Sequence, residues 1–243
     1  MNFYPARDVR GLLPVEHGAL RRRAGGAATA TEGVDTVAEA LLSPAKWVSR
    51  FDTIPLPLLI DRGELGREAH GLPADARVVV FCNFNKNTKL DPRSWAAWME
   101  VLRRVPNSVL WLLQPSKRRA HLEMRSALSA AAAARGISPR RLVYAARVPK
   151  RAHLARHRHA TLFLDTLVYG AHSTATDALR GGLPVLSCVD CVGGGGFASR
   201  VGKSVVRSLG DGATLSAALI AVQRRAFVDT AVRLARRPAT MLR

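Results

Sequence analysis

A chain of 243 residues with a 48% apolar share has the length and composition to bury one sizeable core. It holds no run of about 18 apolar residues, which excludes a membrane-spanning helix, and its three cysteines are too few for a disulfide framework and imply a reducing compartment. The net charge of +19 predicts attraction for anionic ligands, nucleotides included, rather than nucleic-acid binding, because the arginines are scattered over several segments and the aromatics do not interleave with them as a base-stacking platform requires.

Residues 1–70 read as a partly ordered amino-terminal segment. Its start is arginine-rich without an apolar stretch of secretory type, and Asp8 and Glu16 argue against an organelle transit peptide. Residues 25–31 are of low complexity, and residues 36–42 (TVAEALL) have helical spacing. Residues 54–60 (IPLPLLI) are apolar, but Pro55 and Pro57 predict an extended surface segment instead of a central strand.

From Gly71 onward the pattern is regular, and residues 71–243 read as one unit. Residues 77–82 (RVVVFC) form a β-branched run of buried-strand type. Asp91-Pro92 supplies an N-cap followed by proline at the first helical position. Trp95, Trp98, Met99 and Leu102 then make an apolar stripe on that helix. The spacing goes on to predict strands at 107–113, 141–145, 160–165 and, last, 184–188. Between them it predicts an alanine-rich helix over 116–135 stopped by Gly136, a short helix over 149–159, and one that opens at His172-Ser173-Thr174 and closes at Gly181-Gly182. Residues 197–209 and 215–242 read as helical. Such alternation predicts a Rossmann-like α/β fold, a parallel sheet with helices on both faces. Ligands bind beyond the carboxyl ends of the strands in such sheets.

Four loops at those ends carry the candidates. The first holds Lys86 and Lys89 among short polar residues, suited to neutralising a phosphate. The second places Lys150, His153 and Arg156 near one helix face; it reads either as a base- and ribose-binding group or as a solvated basic face. The third opens a helix with His172, Ser173 and Thr174. Its free backbone N–H groups and helix dipole make an anion site, with Ser173 as a plain N-cap the alternative, and Asp177 one turn further is placed to accept from ribose hydroxyls. The fourth, residues 193–196, lacks the Lys-Ser/Thr that follows a P-loop and reads as a flexible insertion. Cys188 and Cys191 have the C-x-x-C spacing, but no second pair or nearby histidine completes a zinc site, and the pair runs into glycines instead of opening a helix. No pair of carboxylates is spaced for hydrolytic acid–base work, and Ser173 lacks the glycines of a nucleophile elbow.

At these loops the chain resembles a known family. CNFNKNTKLDP (82–92), VPNSVLWLL (105–113), VPK..H (148–153), FLDT (163–166), AHSTATD (171–177) and ASRV (198–201) look like the carboxyl-terminal catalytic half of protein O-GlcNAc transferases, in that family's order. Residues 35–42 look faintly like the end of its intervening domain. The resemblance implies the carboxyl-terminal lobe of a GT-B glycosyltransferase that binds UDP-GlcNAc without a metal or other cofactor. Transfer to serine or threonine hydroxyls of acceptor proteins, with inversion, would follow. Carried over by residue, Lys89 meets the diphosphate as the catalytic cation, with Lys86 nearby where the family commonly has glutamine. Ser173 and Thr174 cap the phosphates beside His172, and Lys150 and Asp177 hold ribose. His153 and Arg156 flank uracil, whose edge the Val148 backbone bonds. Ser173 and Leu167 also depart from the family's usual threonine and proline, and the 189–196 insertion is foreign to it. The length leaves no room for the family's amino-terminal lobe or tetratricopeptide region, and no repeat of about 34 residues occurs. The expectation is therefore a donor-binding lobe or fragment, placed by analogy in the cytoplasm or nucleus. Two other readings are a protein O-fucosyltransferase using GDP-fucose, and a non-catalytic nucleotide-binding module.

Overall fold

The computed structural model describes residues 66–193, 196–208 and 217–236. The segments at 25–31, 36–42 and 54–60 lie outside the described residues. A six-stranded sheet forms the centre: β1 (Val79–Asn83), β2 (Ser108–Leu113), β3 (Leu142–Ala145), β4 (Leu162–Leu164), β5 (Val185–Cys188) and β6 (Ile220–Ala221). The order is β3-β2-β1-β4-β5-β6, and every pairing is parallel. Chain order reverses between β1 and β4, which opens a crevice beyond their carboxyl ends.

The predicted α/β architecture is what the chain adopts, because its strands are buried on both faces. Val80 through Asn83 and all of β2 are buried, as the continuous apolar runs require of a parallel sheet covered by helices. Helix α1 (Pro92–Arg104) begins where Asp91 accepts from the backbone N–H groups of Arg93 and Ser94 at 2.9 and 3.0 Å. It buries Trp95, Trp98, Met99 and Leu102 against the sheet. Helix α2 (Arg118–Ala133) ends where Gly136 takes φ +72°, letting Ile137 N–H reach back to the Ala132 carbonyl at 3.1 Å.

Helix α3 (Lys150–Ala155) continues as a 3-10 turn over Arg156–His159, and α4 spans Ser173–Arg180. Helices α5 (Phe197–Arg207) and α6 (Arg224–Ala235) complete the layers. The carboxyl-terminal part corrects two expectations. The strand at 184–188 is not the last, since β6 pairs with Ser187 and Cys188, and 215–242 is not one helix. Two strand residues amid alanine and leucine carry no alternation, so only pairing with the edge of β5 turns them extended. Helix α6 then packs on α1 and β5, and Arg104 bonds Asp229 at 2.6 Å across α1 and α6.

Candidate functional site

The crevice is organised by a carboxylate at the end of β4. Asp165 is fully buried. Its Oδ1 accepts from the N–H groups of Thr166 and Ala171, both at 2.7 Å, and more distantly from Asn85 Nδ2 at 3.4 Å. Its Oδ2 accepts from Ser187 Oγ at 2.9 Å. Burial pushes its pKa up, while these hydrogen bonds and the nearby Lys89 work the other way. One side chain thus pins both ends of the loop that leads into α4. Asn85 extends the network: its amide donates to Thr166 Oγ1 at 3.1 Å, and its Oδ1 accepts from Thr174 Oγ1. Asn83 bonds the Leu164 carbonyl at 2.7 Å, joining β1 to β4 at the reversal point.

Above this floor Lys89, Tyr169 and His172 form a small arch. Lys89 Nζ donates to the Gly170 carbonyl at 2.8 Å and lies 4.3 Å from the centre of the Tyr169 ring, a cation–π contact. Tyr169 stacks on His172 at 5.1 Å, and His172 Nε2 lies 3.3 Å from the Ala198 carbonyl. Partial burial lowers the Lys89 pKa, with the Asp165 charge opposing. Helix α4 starts beside this arch, and the N–H groups of its first residues, Ser173 and Thr174, precede the first intrahelical bonds.

Beside the arch lies a cavity of about 500 Å³. Phe84, Lys86 and Leu113 line one part of it, Arg147, Val148, Lys150, His153 and Arg156 another, and Thr174 connects it to α4. Lys150 Nζ holds both carboxylate oxygens of Asp177 at 2.5 Å. Arg156, only 1% exposed, donates to the Ala146 carbonyl at 2.6 Å and covers the Phe84 ring at 4.5 Å.

The structure therefore brings Lys86, Val148, Lys150, His153, Arg156 and Thr174 to one cavity, with Asp177 attached through Lys150. Lys89, His172 and Ser173 stand at the neighbouring arch and helix start. Three details differ from the sequence reading. The N-cap is His172, with no side-chain cap bond, and Ser173 is the first helical residue. Arg156 belongs to no solvated face; it is buried, with Nη1 on the Ala146 carbonyl and Nη2 on His153 Nδ1. Cys188 and Cys191, of a chain whose three cysteines read as too few for a disulfide framework, form a disulfide across a turn in which Asp190 takes φ +67° and the Cα atoms come within 5.8 Å. Sequence reasoning missed Asp165, Asn85 and Ser187 as positioning groups. The available signal was a carboxylate closing an apolar strand at a sheet's ligand edge, but its partners lie 22 and 80 residues away.

A Rossmann-type sheet with a basic cavity, a lysine and a helix N-terminus gathered at its switch point has the arrangement by which doubly wound folds hold nucleotides. The model for the family described as glycosyl transferase family 41 matches residues 57–242. The UDP-N-acetylglucosamine–peptide N-acetylglucosaminyltransferase of Caenorhabditis elegans is 34% identical over 169 residues, which are 69% of this chain and 13% of that protein. The probable enzyme of the same name, SEC, from Arabidopsis thaliana is 37% identical over 121 residues, 50% of this chain and 12% of that protein. A solved structure of a mutant O-GlcNAc transferase from Thermobaculum terrenum superposes with a TM-score of 0.58 at 26% identity, covering 68% of this chain and 30% of that one. The chain belongs to glycosyl transferase family 41, and its sheet is the carboxyl-terminal lobe of that GT-B fold.

Proposed function

We propose that this chain holds UDP-GlcNAc as the donor-binding lobe of a protein O-GlcNAc transferase, which passes the sugar to serine or threonine hydroxyls of acceptor proteins with inversion. The observation that carries the reading is the junction of cavity and arch. A pocket with room for a nucleoside, lined by His153, Val148 and Lys150, which is paired with Asp177, opens beside Lys89 and the start of α4, where a diphosphate would lie. Negative charge that develops on the departing UDP meets a partly desolvated ammonium and preoriented N–H groups, which is electrostatic stabilisation that needs no reorganisation. Asp165 contributes by holding those groups in place. The names of the relatives in the worm and the plant supply the donor and acceptor classes. The matched region is a small share of those proteins, and an amino-terminal lobe of the kind the resemblance implies would present the acceptor.

The test is calorimetric titration of the chain with UDP and with GDP, beside Lys89→Ala and Lys150→Ala. Micromolar UDP binding, weaker GDP binding and a loss of about tenfold or more in each variant are expected, since each removes a charge-assisted contact worth about 1.5–3 kcal/mol. A folded chain that ignores UDP, or prefers GDP, overturns the donor assignment. We assign neutralisation of the diphosphate to Lys89, Lys86 and the helix, so EDTA is expected to leave the titration unchanged. A fall in affinity on chelation would replace that assignment with a metal-dependent one. Localisation in the cytoplasm or nucleus follows from the resemblance alone, and imaging of tagged protein checks it.

A further inference from the structure

His153 and Phe84 are the rings that line the cavity; Arg156 lies over Phe84, and what stands behind His153 decides the chemistry that its ring offers a ligand. A neutral imidazole carries one N–H; its other nitrogen accepts. In His153 the Nδ1 atom lies 2.5 Å from Arg156 Nη2. A guanidinium only donates and stays charged at neutral pH. Nδ1 must therefore be the acceptor, and the proton sits on Nε2. Arg156 has little freedom to do otherwise: Nη1 is tied to the Ala146 carbonyl at 2.6 Å, and its Cζ lies 4.5 and 5.7 Å from the Phe84 and Trp111 ring centres.

The groups around the imidazole fit this state. Burial is the largest influence, and Arg156, Lys150 and Arg147 add positive charge, while Asp177, itself paired with Lys150, opposes them; together they push the His153 pKa down to about 4. The other neighbouring rings are Phe84 at 5.4 Å and His157 at 4.9 Å, and His157 Nδ1 is held 2.7 Å from the His153 carbonyl.

We propose that Arg156 is a positioning residue that locks His153 as an uncharged imidazole with its proton on Nε2. The cavity wall then presents a ring face and one fixed N–H donor. A ligand meets it with a stacked base or with an acceptor such as a carbonyl or sugar oxygen, and a ligand N–H aimed at Nε2 is rejected. The consequence for ligands rests on reading the cavity as the donor-nucleotide site; the lock itself does not need a ligand.

Long-range proton–nitrogen NMR of the histidine rings in the whole chain tests the lock, with His153→Gln identifying the signal. The expected spectrum shows a single Nε2–H tautomer that does not titrate between about pH 5.5 and about pH 8. In Arg156→Met the tautomers mix and the apparent pKa rises by about one unit, a tenfold gain in proton affinity; Arg156→Lys, which keeps a cationic donor, reverses part of that change. A wild-type His153 protonated on Nδ1, or titrating near the ordinary histidine value, overturns the proposal, as does an Arg156→Met spectrum unchanged from wild type. Should Arg156→Met not fold, the wild-type spectrum decides alone. Failure of UDP to bind while that spectrum is as expected counts against the donor reading and leaves the lock standing.

Discussion

In the loop between β4 and α4, one buried carboxylate collects two backbone N–H groups and the Ser187 hydroxyl, and the adjoining Asn85 takes up Thr174. In the cavity wall on α3, rings and a buried guanidinium pack face to edge instead, and hydrogen-bonding capacity is left over. Arg156 Nε, His157 Nε2 and Trp111 Nε1 are all buried there without a hydrogen-bond partner among the described residues. The first region is completed by the fold alone, and buried polar groups that are fully satisfied rigidify what they touch. The second gains its order from packing and from the direction of one cation. On the proposed donor reading, a phosphate-facing loop would need fixed N–H groups, and a base pocket flat walls and a few oriented polar atoms. The two constructions match those separate needs.

The largest effect is expected from breaking the first region. Asp165→Leu removes the acceptor of three donors at once, and each buried unpaired donor costs about 1–3 kcal/mol. A loss of about 3 kcal/mol or more in urea unfolding is expected, and a loss below about 1 kcal/mol would show that water takes over the carboxylate's place. Glycines bound both regions and allow a matched comparison. A Cβ at Gly202 would overlap Asp165 Oδ2 and stand 2.7 Å from Ser187 Oγ, and one at Gly181 would stand 2.7 Å from both His157 Cβ and the Leu154 carbonyl. Gly202→Ala and Gly181→Ala should each cost about 1–3 kcal/mol by overpacking. Only the first should disturb the Ala171 amide resonance, and a reversal of that pattern would break the division into two regions.

Acid sharpens the same contrast. Burial holds the His157 pKa down to about 3 and the His153 pKa down to about 4, so both are neutral in the fold and charged in the unfolded chain below about pH 6.5. The unfolded state then binds more protons, and stability falls as pH drops from about 6.5 toward 4 by up to about 1.4 kcal/mol per pH unit for each histidine. Asp165, whose pKa burial raises, acts in the opposite sense, gaining its proton more readily in the fold. The net loss, followed by urea unfolding at a series of pH values, should shrink in His157→Gln if that variant remains folded. A wild-type curve flat across this window would contradict the neutral, buried histidines. The smallest stability effect is expected from Asp177→Asn, because Lys150 is 61% exposed and such pairs contribute about 0–1 kcal/mol. Its effect should appear in UDP affinity, and equal affinity would remove the pair from the site.

The α1 stripe, the Asp91-Pro92 start, the Gly136 stop and five of the six strands could be read directly from the chain, because each depends on residues within a turn or two of one another. The site's cationic side chains were legible for the same reason, sitting in short polar loops at strand ends. Tertiary structure alone decided which of them meet. Asp165 finds Asn85 across 80 residues, Lys150 finds Asp177 across 27, and β6 is extended only because the edge of β5 is there to bond it. Periodicity reports which face of an element is apolar. It carries no record of which carboxylate will be buried beneath a loop, or of the carbonyl and rings that will hold Arg156 against its helix neighbour His153, since those follow from how sheet and helices close on each other.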